Sequence, residues 1–157
     1  MAWTIRPTWR VSWFAPLVGL LVAALWAGLD AIAPAASPRA IAPATAATGA
    51  VMRALTAVLV VPLIEELAFR GFLARRVSRP SFEAIAPQEI TAAGVAVSSA
   101  AFGLLHSHPL AGALAGLAYA LAYRARGRLA DAIVAHAVTN AALVVAFYAT
   151  GGAIAGP

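Results

Sequence analysis

The chain has 157 residues, of which 62% are hydrophobic and 11% charged, and its mean hydropathy is +0.86. Soluble domains are about 45–50% apolar and about 25% charged, so composition excludes an ordinary soluble enzyme and indicates an integral membrane protein. The net charge of +5 does not indicate a nucleic-acid partner, because the basic residues sit in short clusters between apolar runs. There is no cysteine, which removes disulfides, thiolate metal sites and a thiol nucleophile. All eleven basic residues are arginine, a bias that suggests a bacterium with a GC-rich genome.

Taken in order, Arg6 and Arg10 with Trp3, Trp9 and Trp13 form an interfacial anchor ahead of an apolar run. That run, Phe14 to Ile32, holds about 19 residues, more than the 7–15-residue core of a signal peptide, and it is the first expected span. Asp30 is expected at the interface. Pro34, Pro38 and Pro43 mark a loop. The second span is expected from about Ala50 to Leu73, with Arg53 snorkelling at its outer end. Pro62 inside it should kink the axis and release the carbonyl four residues back.

Arg75, Arg76 and Arg79 then enter an irregular polar stretch, Pro80 to Glu89. A third span follows at about Ile90 to His106, with Thr91, Ser98 and Ser99 as small polar helix contacts. Ser107-His108-Pro109 reads as a turn with His108 interfacial. The fourth span, Leu110 to Tyr123, would reach only about 21 Å as a helix and must be shielded or extended. Its Gly112-x-x-x-Gly116 pattern is expected to serve close packing within the chain. Arg124, Arg126 and Arg128 form a second basic loop, with Asp131 expected to pair with Arg128 in a solvated contact. The fifth span is Leu129 to Thr150, and a Gly-rich tail follows.

With the N-terminus in the cytoplasm, Arg6, Arg10, Arg75, Arg76, Arg79, Arg124, Arg126 and Arg128 fall on the cytoplasmic side and Arg39 on the other. The expected fold class is therefore all-α: a polytopic membrane bundle of about five transmembrane helices, forming one domain over residues 1–157.

Few ionisable groups remain inside the spans: Glu65, Glu66, Arg70, His106 and His136, with Asn140 as a neutral companion. An ionised side chain in hydrocarbon costs roughly 2.5–3.5 kcal/mol on insertion scales, which makes such residues candidates for function. Glu66 and Arg70 are four apart and share a helix face, so they can pair. Glu65 lies about 100° round the helix from Glu66 and faces elsewhere. His136 and Asn140 share one face of the last span, and Phe102 and His106 share a face of the third. Read singly, each has a structural explanation: an ion pair that locks a helix, a hydrogen-bonded packing histidine, an asparagine joining two helices. Together, a carboxylate, two imidazoles and an amide on three helices are the parts of a water-activating hydrolase.

Glu65-Glu66-x-x-x-Arg70, Phe102-x-x-x-His106 and His136-x-x-x-Asn140 resemble the three motifs of the CAAX-protease and bacteriocin-processing (CPBP) family, which includes the type II CAAX prenyl endopeptidases. The resemblance spans about Val51 to Ala149, taken as the catalytic core. Gly127 to His136 also looks like the CAAX-protease-related proteins of bacterial exosortase systems. The resemblance implies a glutamate-dependent intramembrane endopeptidase in a bacterial inner membrane. In it Glu65 and His106 would activate water, His136 and Asn140 would bind the oxyanion, and Glu66, Arg70 and Phe102 would support the site. It implies no cofactor. The partners it implies are the bilayer, a membrane-associated protein or peptide substrate, and an exosortase-type sorting partner, with no nucleic acid. The chain has fewer spans before the glutamate motif than is usual in that family.

Two other classes stay open. One is a zinc protease, although no His-Glu-x-x-His is present. The other is a non-catalytic membrane scaffold, immunity protein or proton-relaying transporter. Depth along the helices adds a constraint. Glu65 would lie about 15 Å and His136 about 12 Å from the basic ends of their spans, but His106 about 24 Å. The third span should therefore begin well inside the membrane, with Pro80 to Glu89 folded back into the protein.

Overall fold

Apolar helices that bury one stripe and leave the other outside make up the architecture. The structure, a computed structural model, describes residues 10–34 and 47–150. The expected anchor at Trp3, Arg6 and Trp9, the loop residues Pro38, Arg39 and Pro43, and the Gly-rich tail lie outside the described residues. Among the described residues the fold is all-helical, without strands. Helix α1 is Phe14–Ile32. Residues 47–78 run without interruption as α2. Helix α3 is Ala92–Leu104, α4 is Pro109–Arg126 and α5 is Leu129–Ala149. Helix α3 packs chiefly on α4, and α1 on α5, while α2 touches α5 and α3.

Helices α1 and α5, with 19 and 21 residues, are long and apolar enough to cross a membrane. The outside of the bundle is apolar on every helix: Leu21, Leu59, Ile64, Leu104, Leu110 and Val145 are all exposed. The expected short fourth span is extended at both ends, to 18 residues. His108 caps its start and Gly127, with φ of 68°, closes it in the left-handed conformation that glycine adopts at little cost.

Helix α2 is not α-helical throughout around Pro62. It contains two π-helical stretches, Thr56–Val60 and Leu67–Leu73. The Val61 N–H donates to Thr56 O, five residues back. In that register the carbonyl that Pro62 leaves without a donor is Ala57, not the one four residues back. The wider π turns absorb the missing bond, and each motif residue of this helix follows or enters such a stretch.

Helix α2 also runs one turn further than expected, to Ser78. Arg75 is consequently no loop residue. It is 3% exposed and donates Nε to Phe82 O at 3.1 Å and Nη2 to Glu83 O at 3.2 Å and Ile85 O at 2.6 Å. A non-helical segment folded into an apolar body carries carbonyls that need donors, and one guanidinium supplies several. The segment holds two short 3₁₀ turns, Phe82–Ala84 and Pro87–Glu89. It buries Ile85 and Ile90, which is the expected fold-back ahead of α3. Thr91 then caps α3, accepting from Gly94 N at 3.1 Å. Arg10, Arg76, Arg79 and Arg126 are exposed.

Two further expectations are corrected. Asp131 is not a solvated partner of Arg128: it is fully buried, and its Oδ1 accepts the Ser12 N–H at 2.7 Å. A carboxylate in the first turn of a helix suits the dipole there, and here it also ties down the chain entering α1. His108 is not interfacial. It is buried, and its Nδ1 accepts the Ala111 N–H at 3.3 Å, so it acts as the N-cap before Pro109.

The Gly112/Gly116 pair packs within the chain, as expected. A Cβ on Gly112 would stand 3.0 Å from Gly103 Cα, and one on Gly116 would stand 3.1 Å from both Arg70 Nη2 and Ser99 Cα. Gly116→Val should therefore cost about 1–3 kcal/mol through overpacking. Gly28, with nothing within 4 Å of its would-be Cβ, is the control: Gly28→Ala should be neutral or gain up to about 1 kcal/mol. Thermal unfolding of the two variants in detergent would check the contrast.

Candidate active site

The middle of α2 meets α5, with α3 and α4 closing the sides. Glu66 and Arg70 stand four apart on one face of α2, and both side chains are 0% exposed. Arg70 Nη1 donates to Glu66 Oε1 at 3.2 Å and Nη2 donates to Gly116 O at 2.6 Å. The guanidinium carbon lies 4.6 Å from the Phe102 ring centroid. The absence of a side chain at Gly116 is what lets this guanidinium reach the α4 backbone.

From α5, His136 approaches the same carboxylate. Its Nδ1 lies 3.0 Å from Glu66 Oε1. Since that oxygen also accepts from Arg70, it serves as an acceptor here and His136 Nδ1–H is the donor. The other nitrogen, Nε2, faces Glu65 Oε2 at 3.9 Å. One imidazole thus stands between two adjacent glutamates, each meeting a different nitrogen. Glu65 is 22% exposed and Glu66 is sealed, so the accessible carboxylate is Glu65. Spacing alone turns Glu65 to another face than Glu66, but the position of α5 brings both carboxylates to one imidazole.

Phe102 is the hub of the aromatic packing. Its ring centroid is 4.5 Å from that of His106, 5.4 Å from His136 and 5.3 Å from Phe69. His106 lies just past the C-terminus of α3 and is half-buried between Phe102 and Trp26, whose ring is 5.5 Å away. Its Nδ1 is 2.8 Å from Phe102 O. A carbonyl only accepts, so Nδ1 carries the proton, and in the neutral ring Nε2 carries the lone pair.

Asn140 sits one turn beyond His136 on α5, and its Nδ2 donates to Ala57 O at 2.8 Å. Asn140 therefore satisfies the carbonyl released by Pro62 and the π turn. One amide hydrogen is committed to α2, and the second and Oδ1 remain for other contacts.

Several residues of the cluster were not singled out from the sequence. Tyr119, from α4, stacks on His136 with centroids 4.9 Å apart and planes 16° apart. Its hydroxyl donates to Thr139 Oγ1 at 2.8 Å. Two signals pointed to them: a tyrosine hydroxyl in an uncharged span needs a buried partner, and Thr139 lies three residues after His136, on the same face. The carbonyl of Gly116 carried no signal, since its role depends on how α4 lies against α2.

Fold and cluster together define a class: an all-helical protein whose apolar interior holds an acid–imidazole centre braced by an ion pair. A family model described as type II CAAX prenyl endopeptidase, Rce1-like, matches residues 46–142, more than half of the chain, and the chain belongs to that family. The match takes in all seven motif residues, from Glu65 to Asn140, and leaves α1 outside it. No curated protein and no solved structure matches the chain. At the level of the family the match indicates a protease, a hydrolase of the CAAX type; the family is membrane-embedded, and two of the described helices are long and apolar enough to cross a membrane.

Proposed function

We propose that the chain is a multi-pass protein of the bacterial inner membrane with its N-terminus in the cytoplasm. In this reading it hydrolyses a peptide bond near the C-terminus of a membrane-associated protein, using a glutamate-activated water. One observation carries the reading: the His136 imidazole, fixed through Nδ1 on Glu66, faces the Glu65 carboxylate through Nε2 at 3.9 Å. That separation exceeds a hydrogen bond and is short enough for one oxygen atom to touch both groups.

Glu65 takes a proton from water, and His106 Nε2 helps to position that water. The water oxygen attacks the scissile carbonyl carbon. In its doubly protonated form the His136 ring keeps Nδ1–H on Glu66 and donates Nε2–H, together with the remaining amide hydrogen of Asn140, to the oxyanion that develops. The tetrahedral intermediate collapses, the C–N bond breaks, and Glu65 returns its proton to the leaving amine. Glu66 and Arg70 neutralise one another and hold His136, and Glu65, the partly exposed carboxylate of the two, is the one that reacts. Exposed leucines and valines on every helix, together with exposed arginines at Arg76, Arg79 and Arg126, support the membrane placement.

The substrate would be a protein held at the membrane through its C-terminal region: a prenylated tail, a C-terminal sorting helix handled with an exosortase-type partner, or a bacteriocin precursor. No metal enters the steps. Among the described residues no group of three or more His, Cys, Asp and Glu side chains is arranged to hold a metal ion. Cleavage of a prenylated CAAX-type peptide by the reconstituted chain should survive prolonged treatment with a zinc chelator, with less than about twofold loss. Loss restored by added zinc would replace the glutamate mechanism with a metal-dependent one.

The alternative of a non-catalytic scaffold or immunity protein is favoured by Asn140, whose amide is already engaged with the α2 backbone. Immunity or binding that persists in a Glu65→Gln variant, with no cleavage by either form, would support it.

A further inference from the structure

The His136 imidazole is held from three sides. Glu66 takes its Nδ1 proton, the edge of Phe102 bounds one side, and Tyr119 lies flat against the ring. Of these, Tyr119 is the contact that sets the plane of the ring. A hydrogen bond at Nδ1 fixes a direction but still allows rotation about it. A parallel ring 4.9 Å away removes that rotation, and so determines where Nε2 points.

Tyr119 is itself anchored. It is 1% exposed, and its hydroxyl donates to Thr139 Oγ1 at 2.8 Å. Thr139 Oγ1 in turn lies 2.9 Å from Gly19 O of α1 and 3.1 Å from Ala135 O. The stack on the imidazole is thereby joined to α1, the helix outside the family match. Gly19 lets α1 come this close, since a Cβ there would run into the Ala135 carbonyl and the Val138 side chain.

We propose that Tyr119 is a positioning residue that orients His136 Nε2 toward Glu65, and that the Tyr119–Thr139–Gly19 chain makes α1 a working part of the site. The inference rests on the catalytic reading of His136 for its effect on rate, but not for its effect on the ring. Tyr119 touches no substrate. It acts through the imidazole, and α1 holds it in place.

The test uses the full chain in detergent micelles with ¹⁵N-labelled histidine, following the His136 Nδ1–H resonance, which a His136→Gln variant identifies among the three histidines. Tyr119→Leu removes the stack and should speed exchange of that proton at least about tenfold, because the ring gains freedom to leave Glu66. Tyr119→Phe and Thr139→Val keep a ring under the imidazole but cut its tie to α1, and should give an intermediate effect. Cleavage of a prenylated CAAX-type peptide in the same micelles should fall about 100-fold in kcat for Tyr119→Leu, with KM within about twofold and partial rescue by Tyr119→Phe.

An unchanged Nδ1–H exchange in Tyr119→Leu overturns the proposal, as does a loss of activity carried by KM alone. Should Tyr119→Leu lose its helical circular dichroism, the two tie-cutting variants decide, and wild-type exchange in both overturns it. If wild-type protein cleaves nothing, the catalytic reading fails, while the resonance still decides whether Tyr119 orients the ring.

Discussion

Glu65→Gln should abolish peptide cleavage, by roughly 10³-fold or more, while leaving the unfolding midpoint within a few degrees of wild type. The two halves of this expectation have separate physical origins. Glutamine keeps the size and most of the contacts of glutamate but has no basic oxygen that can take a proton from water. Glu65 is also 22% exposed, so a substitution that keeps its size at this partly solvated position costs little in packing. Glu66→Gln should behave differently. It weakens the bonds to Arg70 and His136 together, and so lowers stability and activity in parallel. Measuring both cleavage and thermal unfolding for the two variants separates the roles. Cleavage retained by Glu65→Gln would end its assignment as the base, and a Glu66→Gln variant as stable as wild type would end the bracing role of its neighbour.

Arg70→Ala should cost about 3–5 kcal/mol of stability, the range found when one partner of a buried ion pair is removed. Three supports disappear at once: the 3.2 Å contact with Glu66, the 2.6 Å bond to the Gly116 carbonyl and the packing over Phe102. Glu66 would then stay buried and charged with only His136 beside it. Lysine should not rescue, because one ammonium cannot donate in two fixed directions and lie flat against an aromatic ring. The double variant Glu66→Leu with Arg70→Met should recover much of the stability, since apolar replacement of a whole buried pair is commonly neutral or better. It would still be inactive, having lost the acceptor for His136 Nδ1. Chemical or thermal unfolding in detergent reads each value. A loss below about 1 kcal/mol for Arg70→Ala would show that the pair braces nothing.

Much of the site could be read from helical spacing because helical faces are a local property. Glu66 and Arg70 pair since four residues nearly complete a turn, whereas the approach of Glu65 to His136 depends on how α5 lies against α2. The starts of helices were harder. Asp131 and His108 were assigned to solvated edges because polar residues beside Pro, Gly and Arg usually lie there. Both instead satisfy buried backbone N–H groups. Arg75 was grouped with Arg76 and Arg79 as a loop charge, although only Arg76 and Arg79 are exposed. The difference is that Arg75 alone faces the carbonyls of the segment folded beneath it.

By itself the sequence determined that the chain is built of apolar helices, that they carry the motifs of a CAAX-type protease, and that Glu66 and Arg70 share a helix face. Each follows from composition or from periodicity within one helix. Tertiary structure alone decided which nitrogen of His136 meets which glutamate, across 70 residues of chain. It also decided that Asn140 closes the gap left by Pro62, and that Tyr119 lies under the imidazole. Those choices depend on how far one helix is shifted and rotated against the next. That is set by glycines at the contacts and by the need to give every buried polar group a partner, which no single helix can satisfy alone.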